Sequence, residues 1–340
     1  MQKVICYLLI SICLAACLSG GQPKWVDGKS KAYPDTAYLT ASGSADNPED
    51  AKTRALANLT KIFEVRIDDV SRDESEAWMQ NTEEGATQGN RQLAVRYVDA
   101  FSTKLLEGAE IVESWQDKET KQHFALAVIS RTQLRNKLSS EIRKHDRYSQ
   151  EKVAQADRSA DPFQSAQYLY QARRSQISRA ALQRDLQIVD PTGVGIRTLW
   201  SVQDLELRID NALGKMQVVS KADYATEEGP DVELDRVLKG GIAAVGMQYS
   251  DAQARYRMEG KLEVKAPEFH DGWHWYRGAL EVSLLRADNT VLATIRWPLK
   301  APGLSKAQAT VRLKSDIQSM MQSKLKEALL SYQAESSTNT

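Results

Sequence analysis

Polar and hydrophobic residues alternate in short runs over the first part of the chain, beginning near residue 25. Residues 38–44 form one such run, and a period of two predicts a β-strand with one buried face. Asn47-Pro48-Glu49-Asp50 follows, and Asn before Pro with acids in the first turn predicts the start of a helix. That helix is expected to face a sheet with Ala51, Ala55, Leu59 and Ile62.

The same region contains further runs that predict strands, at residues 63–70, 93–101, 109–115 and 123–129. Residues 117–120 supply the turn between the last two, and the polar residues 80–90 predict a loop. Trp25, the first large apolar residue of the region, can pack on its own domain or touch lipid headgroups. We therefore predict a first α+β domain over residues 25–131.

The hydrophobic period changes to that of a helix between Thr132 and Val189. The first predicted helix has one apolar face, formed by Leu134, Leu138, Ile142, His145 and Tyr148. A polar break covers residues 156–161, and Asp161-Pro162 predicts the cap of a second helix. The second helix carries Phe163, Ala166, Tyr170 and Ile177 at helical spacing. Residues 132–189 are therefore expected to form an antiparallel helical hairpin.

Arginines recur on the second predicted helix, at positions 173, 174, 179 and 184. Such a set could attract phosphate or an anionic lipid. The alternative is a solvated helix face whose charges are offset by nearby Asp and Glu.

A second α+β pattern occupies residues 190–334 and follows the turn-like sequence Asp190-Pro191-Thr192-Gly193. Its predicted elements are helices at 201–216 and 232–245, a short strand at 217–220, and strands at 256–264, 276–284 and 291–297. Ser305 predicts the cap of a long final helix, and residues 335–340 are expected to be a disordered tail. The fold class is therefore α+β, with two small α+β sandwich domains joined by the helical hairpin.

The start of the chain has the layout of a secretory signal peptide, with Lys3 before an apolar run. All three cysteines, Cys6, Cys13 and Cys17, lie within the first seventeen residues. Leu14-Ala15-Ala16-Cys17 resembles the lipobox of bacterial lipoproteins. That resemblance implies cleavage after residue 16, lipidation of Cys17 and a lipidated tether over residues 17–24. The alternative is an ordinary signal peptide with a chance cysteine.

The predicted location is the outer membrane, with the body on its periplasmic face. Leu18 follows the cysteine, whereas an Asp there retains lipoproteins in the inner membrane of enteric-type bacteria. No second apolar stretch approaches the length needed to span a bilayer. Without residues 1–16 the net charge is −1, so composition gives no reason to expect a nucleic acid partner.

A family resemblance covers residues 23–135. It is carried by Pro23-Lys24-Trp25-Val26, Tyr33-Pro34, the run YLTASGSA at 38–45 and the alanine-rich helix after it. These motifs resemble the start of the LPP-twenty lipoprotein family of bacterial outer membranes. The resemblance implies an α+β domain related to modules of flagellar outer-membrane ring proteins, and it brings no catalytic residues. The element order of residues 190–334 is similar to periplasmic domains of penicillin-binding-protein activator lipoproteins and curli-secretion lipoproteins.

Candidate chemistry is sparse in the sequence. His270 and His274 flank Asp271, but Asp271-Gly272 predicts a turn and no zinc-protease motif is present. We expect no catalytic residue, no metal site and no cofactor. The aromatic cluster Phe269, Trp273, Trp275 and Tyr276 could contact a glycan such as peptidoglycan, or a protein partner. The alternative for these aromatics is core or hairpin packing.

The leading hypothesis is a non-enzymatic outer-membrane lipoprotein that acts as a periplasmic scaffold or adaptor for an envelope assembly. The implied partners are the membrane, through the acyl chains, and envelope proteins, with peptidoglycan as a further candidate. A homo-oligomer is an open alternative. A regulator of a peptidoglycan synthase is the second hypothesis, and an envelope hydrolase is the third.

Overall fold

The computed structural model describes residues 21–28, 30–62, 108–224, 232–252 and 254–332. The predictions for the signal peptide, Cys17, the segments 63–70, 80–90 and 93–101, and the tail therefore lie outside the described residues. The described residues divide into two compact units. The first contains the described residues up to 62 together with 108–142 and 180–197, and the second contains the rest. Both units combine helices with a sheet, so the predicted α+β class is confirmed.

The sheet of the first unit has three antiparallel strands, β1 (Tyr38–Ala45), β2 (Glu110–Gln116) and β3 (His123–Ser130), in the order β1-β3-β2. Helix α1 occupies residues 48–62. Its predicted cap is present, because the side-chain oxygen of Asn47 accepts a 2.9 Å hydrogen bond from the backbone of Asp50. The apolar face predicted for α1 packs on the sheet: Ala51, Ala55 and Leu59 are buried, and Ile62 is partly buried.

Helix α1 lies unusually close to β1 at Gly43. A Cβ atom at Gly43 would lie 2.2 Å from the backbone nitrogen of Ala55 and 2.5 Å from the carbonyl oxygen of Ala51. Glycine is therefore required here by the contact between the strand and the helix backbone. The small residues Ala51 and Ala55 serve the same close approach from the helix side.

The opposite face of this sheet is covered by Trp25. Its side chain is 4 % exposed and packs with Leu126 and Val128 of β3. Of the two roles that the sequence leaves open for Trp25, the structure shows packing on its own unit.

Two long helices follow, α2 (Arg131–Arg158) and α3 (Pro162–Val189). The carboxylate of Asp161 accepts hydrogen bonds from the backbones of Phe163 and Gln164, which is the predicted cap. Residues 131–142 and 180–189 belong to the first unit, and the remainder of both helices belongs to the second. The compact units thus divide the hairpin, whereas the sequence predicts a separate segment; the predicted domain bounds stay a prediction.

Polar side chains are buried between α2 and α3 within the second unit. Arg179 pairs with Asp146 at 2.9 Å, and the Gln176 amide donates to the Ser149 hydroxyl at 2.9 Å. Arg173 pairs with Glu206. Arg173 and Arg179 are less than one-tenth exposed. These two arginines are therefore neither an anion-attracting surface nor a solvated face, because each is occupied by a carboxylate inside the fold.

The second unit contains a mixed six-stranded sheet. Its strands are β4 (Gln217–Tyr224), β5 (Gln248–Tyr249), β6 (Tyr256–Val264), β7 (Glu268–His270), β8 (Trp273–Arg286) and β9 (Val291–Gly303). The order is β5-β4-β6-β8-β7, and β9 pairs with β8. Strand β4 runs parallel to β5 and β6, and the other pairs are antiparallel. The predicted meander is present as β6, β8 and β9, with the short β7 inserted.

Helices cover one face of this sheet. They are α4 (Val202–Leu213), α5 (Leu234–Val245), α6 (Lys306–Ser319) and α7 (Leu325–Ser331). A π-helical turn, Met320–Lys324, separates α6 from α7 where the sequence predicts one continuous helix. Gly241 of α5 meets this turn, since a Cβ there would lie 2.4 Å from the Met321 methyl group. Ser305 caps α6 as predicted, by accepting from the backbone of Gln308.

We predict that Gly43→Ala destabilises the first unit by about 3 kcal/mol, because the new methyl group must displace helix backbone rather than a flexible side chain. Gly108→Ala is the matched control, since its Cβ would meet nothing closer than 3.9 Å. Chemical denaturation of the full chain measures both. A Gly43→Ala protein as stable as the control would contradict the close packing of α1.

Asp185 on α3 gives a second prediction. Its side chain is 3 % exposed, and its Oδ2 atom has no hydrogen-bond partner. Burial raises its pKa to about 7, although the neighbouring Arg184 acts in the opposite direction. The folded pKa therefore lies above the unfolded pKa, so the folded state holds a proton that the unfolded chain releases. Stability should fall as pH rises from about 4 through about 7.

We expect this loss to amount to about 3 kcal/mol between about pH 5 and about pH 8, at 1.4 kcal/mol per pKa unit. Asp185→Asn should abolish it, since the amide does not ionise. Unfolding free energies of the native chain and the variant at the two pH values test this. Asp46→Asn, at an exposed carboxylate of the same unit, is the control. An unchanged pH profile in Asp185→Asn would refute the assignment.

Candidate functional site

The predicted aromatic cluster lies on the hairpin of β7 and β8. Asp271 and Gly272 form the turn, and both have positive φ angles, 50° and 80°. Asp and Gly tolerate this backbone better than most residues, and it is typical of two-residue hairpins. The turn fixes the pairing of Glu268 with Trp275 and of His270 with Trp273. The local sequence thereby determines which aromatic side chains share a face of the sheet.

The structure divides the four predicted aromatics between two faces. Side chains alternate along a strand, so Trp273 and Trp275 share one face and Tyr276 lies on the other. Tyr276 is 6 % exposed in the core, and its phenol oxygen is 3.2 Å from the Thr310 hydroxyl. Phe269 is 67 % exposed, and its ring centroid lies 4.9 Å from that of His274. The predicted cluster is therefore not one surface, and core packing accounts for Tyr276.

Cations surround Trp275 on its face of the sheet. The Nζ atom of Lys300 lies 4.9 Å from the centre of the indole, and the Arg277 guanidinium lies 5.7 Å from it. Arg277 is the register partner of Lys300 on β9. Lys265, just after β6, lies on the side of Arg277 opposite to Lys300. Its backbone nitrogen donates to the Arg277 carbonyl at 3.4 Å. We name Trp273, Trp275, Lys265, Arg277 and Lys300 the basic aromatic surface.

A ladder of ion pairs occupies the centre of the same sheet face. Arg296 on β9 contacts Glu281 on β8 at 3.1 Å and Glu263 on β6 at 2.5 Å. Lys261 contacts Glu263 at 3.0 Å. The hydrogen bonds from Arg296 and then Lys261 lower the pKa of Glu263 to about 2. Glu263 therefore stays ionised, and both carboxylates are matched by cations across the strands.

The two histidines of the predicted turn do not converge. His270 lies 3.0 Å from the carboxylate of Asp271, and His274 packs against Phe269. Across the described residues, no group of three or more His, Cys, Asp or Glu side chains is placed to hold a metal ion.

A serine on β4 and a lysine on α5 contact the same carboxylate, Asp235 on α5. No motif in the sequence singles out these three residues. Ser220 donates to Asp235 at 2.5 Å, and Lys239 contacts the other oxygen of Asp235 at 2.8 Å. Hydrogen bonding to Asp235 and to Tyr249 raises the pKa of Lys239. A lysine that is held protonated cannot act as a general base toward the serine. We therefore interpret this cluster as a salt bridge at the N-terminal end of α5.

The sequence prediction missed Lys265, Arg277 and Lys300 as neighbours of Trp275. A signal was available for Arg277, which is two residues from Trp275 and must share its face of the strand. Lys300 could be placed only by knowing the register of β8 with β9, which includes a bulge between Leu284 and Leu285.

The described helices include none that is both long enough and apolar enough to cross a bilayer.

Comparison with known families bears on the first unit. The model described as "LPP20 lipoprotein" matches residues 23–130. The N-terminal region is therefore similar to the LPP20 lipoprotein family over these residues. This confirms the resemblance to the LPP-twenty family and agrees with its predicted extent, residues 23–135. The resemblance proposed for residues 190–334 stays a prediction.

Solved structures give weaker likenesses. The secreted protein HP1454 from Helicobacter pylori is 15% identical, with 87% of this chain and 99% of that chain covered and a TM-score of 0.38. A minor lipoprotein from Acinetobacter baumannii is 11% identical over 34% of this chain and 90% of its own, with a TM-score of 0.27.

Protein XCC0632 from Xanthomonas campestris, assigned to DUF330, is 12% identical over 34% of this chain and 83% of its own, also with a TM-score of 0.27. At these values no fold or function follows from the solved structures. No curated protein sequence matches the chain.

The division of the aromatics between core and surface predicts different effects on stability. Tyr276→Ala should cost about 3 kcal/mol, because it leaves a cavity beneath α6. Trp275→Ala should cost about 1 kcal/mol or less, since it removes exposed contacts with two cations. Thermal and chemical unfolding of the full-length variants measure both. Equal losses in the two variants would contradict the separation of the faces.

Proposed function

We propose that this lipoprotein is a non-enzymatic scaffold or adaptor, anchored in the outer membrane through acyl chains on Cys17. The lipobox-like sequence Leu14-Ala15-Ala16-Cys17 and the LPP20 match over residues 23–130 support the anchor. Each buried CH₂ of an acyl chain contributes about 0.8 kcal/mol, and stable anchoring needs more than one chain. Bacterial lipoproteins carry two or three chains, so attachment would be effectively permanent.

Leu18 after the cysteine favours the outer membrane as the destination, and the body would lie on the periplasmic face. Residues 17–24 would form the tether. A protein confined in this way meets partners on the same surface at a raised effective concentration. Weak contacts by the folded units would then be sufficient for assembly.

One observation carries the adaptor role, and it is the uncovered face of β6, β8 and β9. The helices that bury the sheet core contact its other face. The uncovered face presents the ion-pair ladder and the basic aromatic surface, in which Trp273 is 41 % exposed. Trp and Arg are enriched among residues that dominate binding energy at interfaces. An open sheet face of this kind fits docking onto a large partner better than enclosure of a small substrate.

The test combines membrane fractionation with crosslinking in intact cells. A photoreactive residue replaces Lys261, which is half exposed on the uncovered face. We expect the chain with Cys17 intact to fractionate with the outer membrane and to crosslink to an envelope component. Cys17→Ala should move to the soluble periplasmic fraction and lose most of the crosslinked product, because the effective concentration falls.

Two outcomes would contradict the proposal. A Cys17→Ala protein that still fractionates entirely with the outer membrane would exclude the lipid anchor. Efficient crosslinking from a position on the helical face, such as Lys314 on α6, with none from position 261 would exclude the sheet face as the contact. Purified protein that hydrolyses an envelope polymer or lipid would assign it to a different class.

A further inference from the structure

Strands β8 and β9 and the residue that follows β6 place cations side by side at one end of the uncovered sheet face. Lys265, Arg277 and Lys300 stand in one row, as the register of Arg277 with Lys300 and the bond between the backbones of Lys265 and Arg277 show. Trp275 lies in the next row along β8, and Trp273 in the row after it. Successive rows on one face are about 7 Å apart. Both indoles therefore lie within two rows of the three cations.

The charge of this end is not balanced as it is in the ladder. Glu268 is the carboxylate that approaches the row, at 3.9 Å from Arg277. Within the described part of the chain, no ion pair joins Lys265 or Lys300 to a carboxylate, and Lys300 lies over the Trp275 ring instead. The ladder, in contrast, pairs Arg296 with both Glu263 and Glu281. The basic aromatic surface thus keeps an excess of positive charge next to an accessible indole.

We propose that the basic aromatic surface binds an acidic glycan, a polysaccharide whose sugars carry carboxylate groups. The apolar C–H face of a pyranose ring can pack on the Trp275 indole and bury apolar area there. A carboxylate substituent then reaches the row of cations, where Arg277 can form a two-pronged contact and Lys300 a point contact. Trp273 supplies a second ring for the neighbouring sugar.

The residues at the hairpin tip favour a glycan over a membrane as the ligand of this surface. The turn residue Asp271 is 82 % exposed at the end of the hairpin, ahead of the indoles. A carboxylate there opposes insertion of the tip among anionic headgroups. Phe269, the most exposed aromatic of the hairpin, lies on the other face with His274 and does not extend the surface. The accessible part of the basic aromatic surface is therefore the sheet face itself, which suits a polymer lying across the strands.

This inference rests on the proposed function, because it names the partner of the same sheet face. The adaptor would hold a carboxylate-bearing glycan layer close to the outer membrane. The two can fail separately. If glycan binding is absent while crosslinking from position 261 still depends on Cys17, the adaptor role stands and the glycan is excluded.

The experiment uses the full-length protein in detergent and calorimetric titration with an oligogalacturonate, a polymer in which each sugar carries a carboxylate. The neutral maltohexaose is the matched ligand. We expect binding of the acidic oligomer alone, weakening as salt is raised because the charges are screened. Trp275→Ala should reduce affinity about tenfold, and Lys300→Ala about threefold to tenfold. Trp275→Phe keeps a flat ring and should retain most of the affinity.

Two control variants match the test variants in type. Phe269→Ala removes an exposed aromatic from the other face of the same hairpin. Lys221→Ala removes an exposed cation that is paired with Glu259 on the distant part of the same sheet face. Both should bind within about twofold of the native protein. Thermal unfolding verifies that every variant is folded.

Several outcomes would overturn the glycan assignment. The native protein fails to bind oligogalacturonate, or it binds maltohexaose equally well. Alternatively, the Trp275→Ala and Lys300→Ala variants are folded and bind with unchanged affinity. The protein could also bind vesicles of anionic phospholipid through Trp275 and fail to bind oligogalacturonate. That result would identify the surface as a membrane-binding site. An acidic peptide that binds through Trp275 in place of the glycan would assign it to a protein.

Discussion

The register of β8 between β6 and β9 is the constraint on which the second unit depends. Tyr276, Leu280 and Val282 point into the core, whereas Arg277 and Glu281 face the uncovered side. A slip of one residue would exchange the two sets and place charges in the core. Gly278 helps to fix this register, because a Cβ there would lie 1.8 Å from the Glu263 carbonyl oxygen. The same pairing sets Arg277 beside Lys300 and Arg296 beside Glu281.

Local signals in the sequence were sufficient for much of the architecture. Asn47, Asp161 and Ser305 cap the helices that they were predicted to cap, since a cap depends on residues within one turn. The strand periods likewise located β1 and β6, because each alternates between more and less buried positions. Strand β3 is buried on both faces and was located by its run of apolar residues. The family motifs located the first unit. Signals of this kind involve neighbours in the chain, and a single sequence contains them.

The remainder depends on partners that are distant in the chain. The sequence allows Arg173 to be part of an anion-attracting face, but Glu206 of α4 pairs with it. Grouping Tyr276 with Trp275 followed their adjacency in sequence, whereas strand geometry places adjacent side chains on opposite faces. Strand β4 extends to Tyr224 because its parallel ladder with β6 satisfies the backbone of polar residues, which no hydrophobic period reveals. Such features need the register and the topology before they can be predicted.

The net charge of the chain is balanced, but charge is distributed unevenly over its surface. The chain carries 45 basic and 45 acidic residues, which by itself gives no reason to expect a nucleic acid partner. On the uncovered sheet face, however, the glutamates of the ladder are satisfied by Arg296 and Lys261 and cannot offset charges elsewhere. Exposed ion pairs are screened over about 8 Å at physiological salt, so a ligand at Trp275 responds mainly to the nearest cations. Local pairing, rather than net charge, therefore decides which end of the sheet can attract an anion.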